Sequence, residues 1–376
     1  GEGAIEALEE VQGSKALIVT DSTMVRLGLV DQVKSHLQNA GIEVRVFDEV
    51  EPDPSVNTVR NGALAAGEFG PDWIVGLGGG SPIDAAKAIW VLYERPDIEP
   101  EAIDPITELG LRRKARLIAI PTTSGTGSEV TWGIVLTDTK EQRKMGLGNR
   151  ENLADIAIVD PQLAATMPPR LTADTGLDAL VHAVEGYTCT WHNDLTDGLC
   201  INAARLVFRY LPRAFADGSN LEARERLHNA ATCAGLGFGN AMASMAHAMG
   251  HSLGAAFHVP HGRAVSIFLP YTIDFASREA PERFSELALL TGCSDRDGEA
   301  GARDFSLRIK DLYQEVGNPV NVSAAGIKKE AYQSALEKLV EDAFNDTQML
   351  TCVRSPSYDE LRQLFVCAYD GREIDF

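Results

Sequence analysis

The sequence predicts two domains of different architecture: an α/β domain with a mainly parallel sheet, followed by an all-helical domain. Over the first 160 residues, short apolar runs alternate with amphipathic helical patterns, an order typical of βαβ units with both sheet faces covered. After Pro161 the strand patterns stop and helical periodicity continues to the C-terminus. A chain of 376 residues is long enough for two domains. We place them at 1–163 and 164–376, because Pro168 and Pro169 interrupt the segment between the two patterns.

The elements follow from this periodicity in chain order. The strands are predicted at 15–20, 44–47, 73–77 and 117–120. One helix runs through Val25, Leu29, Val33 and Leu37, and two more cover 57–68 and 82–92. In the second domain, helices are predicted at about 172–190, 194–215, 221–240, 264–291, 303–316, 329–343 and 357–370.

Composition excludes several classes of function. The chain has 34 basic and 54 acidic residues and therefore a net charge of −20. This charge disfavours nucleic acids and anionic membranes as partners. No apolar run approaches the ~18 residues of a membrane span. The six cysteines are scattered without a Cys-x-x-Cys pair, which is typical of a reducing compartment such as the cytoplasm. The chain begins at Gly1, and we expect a short N-terminal piece to precede it.

A glycine-rich turn, 76–84, lies between the third predicted strand and the next helix. Gly78, Gly79 and Gly80 allow the backbone to approach a ligand closely. We expect Ser81 to cap the helix, Pro82 to occupy its first position and Asp84 to complete a capping box. The N–H groups at such a helix start suit a dinucleotide pyrophosphate, although an ordinary tight turn with a cap explains the pattern equally well.

Two further polar segments follow predicted strands. The run 121–131, rich in Thr, Ser and Gly, comes after the fourth strand, at the sheet edge where parallel sheets bind ligands; the alternative is a polar surface loop. Asp21 follows the first strand. It can accept from an adenosine ribose or simply cap the next helix.

The histidines form a pattern typical of a metal site. Asp178 and His182 are four residues apart, as are His247 and His251, so each pair shares one helix face. His258 and His261 follow. Imidazoles with one carboxylate suit zinc or ferrous iron, whereas isolated buried histidines usually serve packing. We expect the remaining histidines to lie at the surface: His36, His192 and His228.

Taken together, these motifs resemble the iron-containing (group III) alcohol dehydrogenase family, over Gly3 to about Leu364. The resemblance rests on the glycine turn with Asp84 and Lys87, the run 121–131, the segment 176–187, and the segment 247–261 followed by Gly262. It implies a Rossmann-like N-terminal domain, a helical metal-binding domain and a deep cleft between them.

The resemblance also implies roles for individual residues. The metal ligands correspond to Asp178, His182, His247 and His261. His251 is a candidate for proton transfer, with a cofactor ribose hydroxyl as the alternative. The family's cofactor-binding positions correspond to Asp21, Gly79, Gly80, Ser81, Asp84, Thr122, Thr123, Thr126, Thr131 and Lys144. Trp132 and Gly133 depart from the family pattern, which affects the substrate pocket.

We therefore predict an NAD(P)-dependent alcohol dehydrogenase that transfers a hydride between the cofactor and a primary alcohol or aldehyde. We expect NAD rather than NADP as the cofactor because of Asp21. We expect Fe²⁺ as the metal, with Zn²⁺ as the alternative. The family resemblance implies a homodimer or larger homo-oligomer. Three alternatives stay open: a zinc-dependent glycerol or polyol dehydrogenase, a lyase similar to dehydroquinate synthase, and a non-enzymatic protein that keeps the fold.

Overall fold

The computed structural model describes residues 1–139 and 143–376, apart from the side chain of Arg143. The chain divides into two compact units, Gly1–Thr166 and Met167–Phe376. No helix in the described part of the chain is long and apolar enough to cross a membrane.

The first unit alternates strands and helices along the chain. Its strands are β1 (Lys15–Val19), β2 (Glu43–Phe47), β3 (Trp73–Gly78), β4 (Arg116–Pro121), β5 (Gly133–Asp138), β6 (Arg143–Gly148) and β7 (Ile156–Ala157). Its helices are α1 (Ser22–Arg26), α2 (Leu29–Asn39), α3 (Val56–Phe69), α4 (Gly80–Glu94) and α5 (Pro161–Ala164).

A parallel sheet organises this unit. Within the described residues, it has five strands in the order β2-β1-β3-β4-β7, and each neighbouring pair is parallel. The chain moves outward from β1 to β2 and then returns to the other side of β1 as β3. Such a reversal opens a crevice at the carboxyl ends of the strands, where α/β sheets bind ligands. The segments after β1 and β3 therefore start at the ligand-binding edge.

The apolar strand runs are explained by burial on both faces of the sheet. In β1, Leu17 and Val19 belong to one buried cluster, whereas Ala16 and Ile18 belong to another. Successive side chains of a strand point to opposite faces, so a strand covered on both sides is apolar throughout.

Two features of the first unit differ from the expectations. The predicted first helix is two helices, because Gly28 adopts a left-handed φ of 73° between α1 and α2. The antiparallel pair β5 and β6 was not predicted, and it lies outside the parallel sheet.

The second unit is helical. Its helices are α6 (Pro169–Thr188), α7 (Asp194–Ala216), α8 (Leu221–Ala241), α9 (Met245–Phe257), α10 (His261–Ala276), α11 (Pro281–Thr291), α12 (Gly298–Glu315), α13 (Lys329–Phe344) and α14 (Tyr358–Asp370). The helix predicted at 264–291 is two helices, α10 and α11, and Pro281 begins the second. A parallel α/β sheet followed by a helical unit confirms the predicted fold class.

Candidate active site

The glycine turn and the threonine-rich run lie against each other in the first unit. A Cβ built on Gly79 would lie 3.3 Å from Cγ2 and Oγ1 of Thr123, and one built on Gly80 would lie 3.0 Å from Cγ2 of Thr126. Thr122 N donates to the carbonyl of Gly78 (2.9 Å). Side chains at either glycine would crowd the threonines, so the glycines let two predicted cofactor segments share one surface.

The start of α4 differs from the sequence prediction. The N-cap is Gly79, without a side-chain cap, and the helix begins at Gly80, so the expected cap at Ser81 is wrong. The Ser81 hydroxyl instead accepts from the backbone N–H of Asp53 (3.2 Å). The absence of a side-chain cap at Gly79 leaves the helix start open to an anion.

Asp53 links Ser81 to Lys144, another predicted cofactor residue. Its Oδ1 lies 2.7 Å from Lys144 Nζ, and its own backbone adopts a left-handed φ of 57°. Sequence inspection missed Asp53, and only its position between two prolines marks it as part of a turn.

Asp84 is turned away from the expected capping position. Its Oδ1 accepts from the Ser128 hydroxyl (2.5 Å) and its Oδ2 accepts from Val135 N (2.9 Å). The fully buried ammonium of Lys87 lies 3.8 Å from Asp84 and donates to the Gly133 carbonyl (2.9 Å). The expected box-like cap is therefore wrong, and Asp84 fastens β5 to α4.

Asp21 acts as the N-cap of α1. Its Oδ1 accepts from Thr23 N (2.7 Å) and Met24 N (3.3 Å), which is the capping alternative that the sequence left open. Of the other predicted cofactor residues, Thr122 and Thr131 are buried, and the Thr122 hydroxyl lies 3.4 Å from Met24 Sδ.

In the second unit, the structure brings together the four predicted metal ligands. One potential ligand atom from each lies within 4.8 Å of the other three. The four residues are Asp178, His182, His247 and His261. His258 ends α9 in the left-handed region and does not belong to this group.

Three helices supply the group. Helix α6 presents Asp178 and His182 one turn apart on one face, α9 presents His247, and His261 is the first residue of α10. A Cβ on the next residue, Gly262, would lie 2.1 Å from the carbonyl oxygen of Asp174. Only glycine therefore lets the start of α10 approach α6 this closely.

The electrostatics of the group suit a cation. Asp178 is 2% exposed, and burial raises its pKa to about 7 although His247 opposes the shift. Among the described residues, Asp178 Oδ1 and His247 Nε2 are buried without a hydrogen-bond partner. Buried polar atoms normally have partners, and a divalent ion would satisfy both. Three imidazoles and one carboxylate fit ferrous iron or zinc.

His251 borders this group without belonging to it. Its ring centroid lies 5.4 Å from that of His261 and 5.8 Å from that of His247, and its side chain is 35% exposed. Its Nδ1 lies 2.8 Å from Asp346 Oδ2. Burial works against the Asp346 charge, but the hydrogen bond and charge of His251 hold the pKa of Asp346 below its ordinary value.

Sequence inspection missed three residues around the group. Glu185 on α6 contacts His247 Nδ1 (2.5 Å), Phe238 on α8 stacks on His182 with ring centroids 3.9 Å apart, and Asp346 contacts His251. Glu185 lies seven residues after Asp178, on the same helix face, and that spacing was the only available signal. His228, expected at the surface, is 1% exposed.

Comparisons with known proteins agree with the fold and identify the family. The model of iron-containing alcohol dehydrogenases matches residues 1–161, and the C-terminal model of the Fe-containing alcohol dehydrogenase family matches residues 172–369. The chain belongs to the iron-containing alcohol dehydrogenase family.

Individual relatives point in the same direction. The chain is 41% identical over 378 residues to the NADPH-dependent butanol dehydrogenase of Clostridium saccharobutylicum, covering 100% of the chain and 97% of that protein. It is 39% identical over 398 residues to the bifunctional aldehyde-alcohol dehydrogenase AdhE of Escherichia coli K12, but this match covers 98% of the chain and only 45% of that relative. The solved structure of a 1,3-propanediol oxidoreductase has a TM-score of 0.91 at 35% identity, over 98% of the chain and 97% of its own length.

These matches confirm the predicted class of activity. The chain is an NAD(P)-dependent alcohol dehydrogenase, and the relatives favour this activity over the lyase and non-enzymatic alternatives. The individual ligand, catalytic and cofactor residues remain predictions.

Proposed function

We propose that the protein interconverts a primary alcohol and its aldehyde at a divalent metal ion, Fe²⁺ with Zn²⁺ as the alternative. Asp178, His182, His247 and His261 hold this ion. The observation that carries the proposal is the meeting of four potential ligand atoms within 4.8 Å, two of them buried without a hydrogen-bond partner among the described residues. When bound, the metal polarises the substrate oxygen and the nicotinamide accepts or returns the hydride.

His251 moves the proton in this scheme. Its Nδ1 faces the Asp346 carboxylate, so Nε2 is the atom that takes the hydroxyl proton in oxidation and returns it in reduction. Partial exposure of the side chain allows exchange of that proton with solvent. Asp346 holds the ring in the tautomer that this task requires.

The cofactor binds the first unit through the segments that follow β1, β3 and β4. Gly79 and Gly80 take the pyrophosphate at the open start of α4, with Ser81, Thr123 and Thr126 around it. Lys144, paired with Asp53, lines the same region.

The remaining predicted cofactor residues support these segments from inside the first unit. Thr122 and Thr131 are buried, and the Asp84 carboxylate accepts from the Ser128 hydroxyl.

NAD(H) is the preferred cofactor. Both capping bonds of Asp21 end on Oδ1, which leaves Oδ2 as an acceptor for the ribose 2′-OH in the described part of the chain. Glu49 pairs with Asp21 through the backbone and adds a second carboxylate nearby. The 2′-phosphate of NADP would meet both negative charges. The butanol dehydrogenase relative is NADPH-dependent by name, so this preference needs a direct test.

Medium-chain or aromatic alcohols are the preferred substrates over small diols. A Cβ on Gly133 would meet nothing within 4 Å, so this position offers open space. The indole of Trp132 lies close to Gly148, the strand partner of Gly133, and supplies apolar surface next to this position.

The cysteines are free thiols, which is typical of a reducing compartment, so we infer that the protein acts in the cytoplasm. The family resemblance favours a homo-oligomer.

The function is tested by an anaerobic screen of alcohols and aldehydes with NAD(H) and NADP(H). Protein of measured Fe and Zn content is compared with protein stripped by a chelator. We expect activity with primary alcohols that falls on stripping and returns with Fe²⁺ or Zn²⁺. Full activity of metal-free protein would contradict the proposal.

A further inference from the structure

A buried carboxylate joins the two helices that carry three of the four proposed ligands. Glu185 lies on α6, 4% exposed, one turn beyond His182. Its Oε1 accepts from Ala246 N (2.6 Å), and its Oε2 accepts from Ser244 N (2.9 Å) and contacts His247 Nδ1 (2.5 Å). Three donors surround one carboxylate, which satisfies the need of a buried charge for partners.

Two of these donors belong to the start of α9. The N-cap residue Ser244 makes no side-chain cap of its own, so Glu185 from the neighbouring helix takes the place of a cap. A negative charge at a helix N-terminus also interacts favourably with the helix dipole. Glu185 thereby fixes where α9 begins, two residues before His247.

The third donor determines the chemistry of His247. A carboxylate accepts but does not donate, so in the neutral ring the hydrogen lies at Nδ1 and the lone pair lies at Nε2. Nε2 is the ring atom that is buried without a partner among the described residues. The ring is therefore oriented and protonated for binding a cation through Nε2.

We propose that Glu185 is a positioning residue of the metal centre: it fixes the tautomer and orientation of His247 so that Nε2 can bind the divalent ion. The proposal rests on the ligand assignment of the proposed function. Glutamine has one acceptor oxygen in place of two. In Glu185→Gln, either orientation of the amide turns an NH₂ group toward a donor that the carboxylate now accepts, or forces His247 into the opposite tautomer.

The test measures zinc affinity by competition with a chromogenic chelator. We expect Glu185→Gln to weaken Zn²⁺ binding about 10- to 100-fold, the usual effect of losing a partner of a ligating histidine. The matched control is Glu94→Gln. Glu94 on α4 is also buried and accepts from the backbone N–H groups of Arg113, Lys114 and Ala115, and its variant should bind zinc as the wild type does.

His247→Ala separates the two proposals. If His247→Ala loses affinity while Glu185→Gln and Glu94→Gln behave alike, the role of Glu185 is wrong and the ligand assignment stands. If His247→Ala binds zinc normally, the ligand assignment itself is wrong.

A measurement on the wild-type protein tests the same inference without depending on how well a variant folds. Nitrogen NMR of histidine-labelled, zinc-loaded protein should show His247 bound through Nε2 with a proton on Nδ1. Zinc on Nδ1, or a proton on Nε2, would overturn the inference.

Discussion

His251 Nδ1 lies 2.8 Å from Asp346 Oδ2, and the same His251 ring stacks at 5.4 Å on the ring of His261. One nitrogen of this imidazole is therefore held by a carboxylate, while the ring itself lies beside a proposed metal ligand. This arrangement distinguishes His251 from the four proposed ligands, although His251 lies only one turn after His247 on the same helix.

His251→Ala is expected to keep the metal and to slow turnover about ten- to ten-thousand-fold, the usual range for a general acid–base. Metal content and kcat are measured together, with the pH–rate profile as a further readout. Loss of metal would make His251 a ligand, and an unchanged profile with normal kcat would make it a packing residue.

Asp346→Asn should lower kcat in the same direction but by less, because the ring remains present and only its tautomer and orientation are released. The double variant with His251→Ala is the control. If Asp346 acts through His251, the second substitution adds little to the loss; full additivity would assign Asp346 an independent role, such as its cap on Gln348 N.

His182→Ala and His261→Ala are each expected to lose bound metal and nearly all turnover while the chain stays folded. One ligand of four is gone, but the helices keep their apolar contacts, such as those of Leu180 and Val265. Metal analysis and circular dichroism check this. His258→Ala is the matched control, since His258 is exposed and outside the group, and wild-type metal content in His261→Ala would refute the assignment.

Asp21 is expected to give at least about a tenfold preference for NAD(H), ~1.4 kcal/mol. The ratio of kcat/KM for the two cofactors is compared between the wild type, Asp21→Gly and Asp21→Asn. Asparagine caps a helix about as well as aspartate but removes the charge, so both variants should move toward NADP. Equal use of both cofactors by the wild type, or unmoved variants, would show that Asp21 only caps α1.

The open space at Gly133 predicts a higher kcat/KM for medium-chain or aromatic alcohols than for 1,2-propanediol or glycerol. Gly133→Val places a branched side chain where a Cβ meets nothing within 4 Å, so it should fold normally and reduce the advantage of the larger alcohols. If small diols are the best substrates of the wild type, this interpretation of the pocket is wrong.

The sequence predicted those features that local spacing encodes. Burial on two faces made the central strands β1, β3 and β4 almost continuously apolar, and the spacing of Asp178 and His182 placed them on one helix face. Contacts between distant segments left no such pattern. Glu185 reaches His247 across two helices, and Asp84 reaches Val135 on a strand pair that was not predicted. The expected cap at Ser81 was wrong because the glycines before it allow α4 to begin two residues earlier.

Gly262 is not one of the proposed metal ligands, yet it allows His261 to reach them. A Cβ at this position would collide with the Asp174 carbonyl and push the start of α10 away from α6. Surveys of tolerated substitutions should therefore find this position as restricted as the ligands themselves. Attempts to change the metal preference by varying the four ligands will act on a frame whose dimensions are set by a neighbour without a side chain.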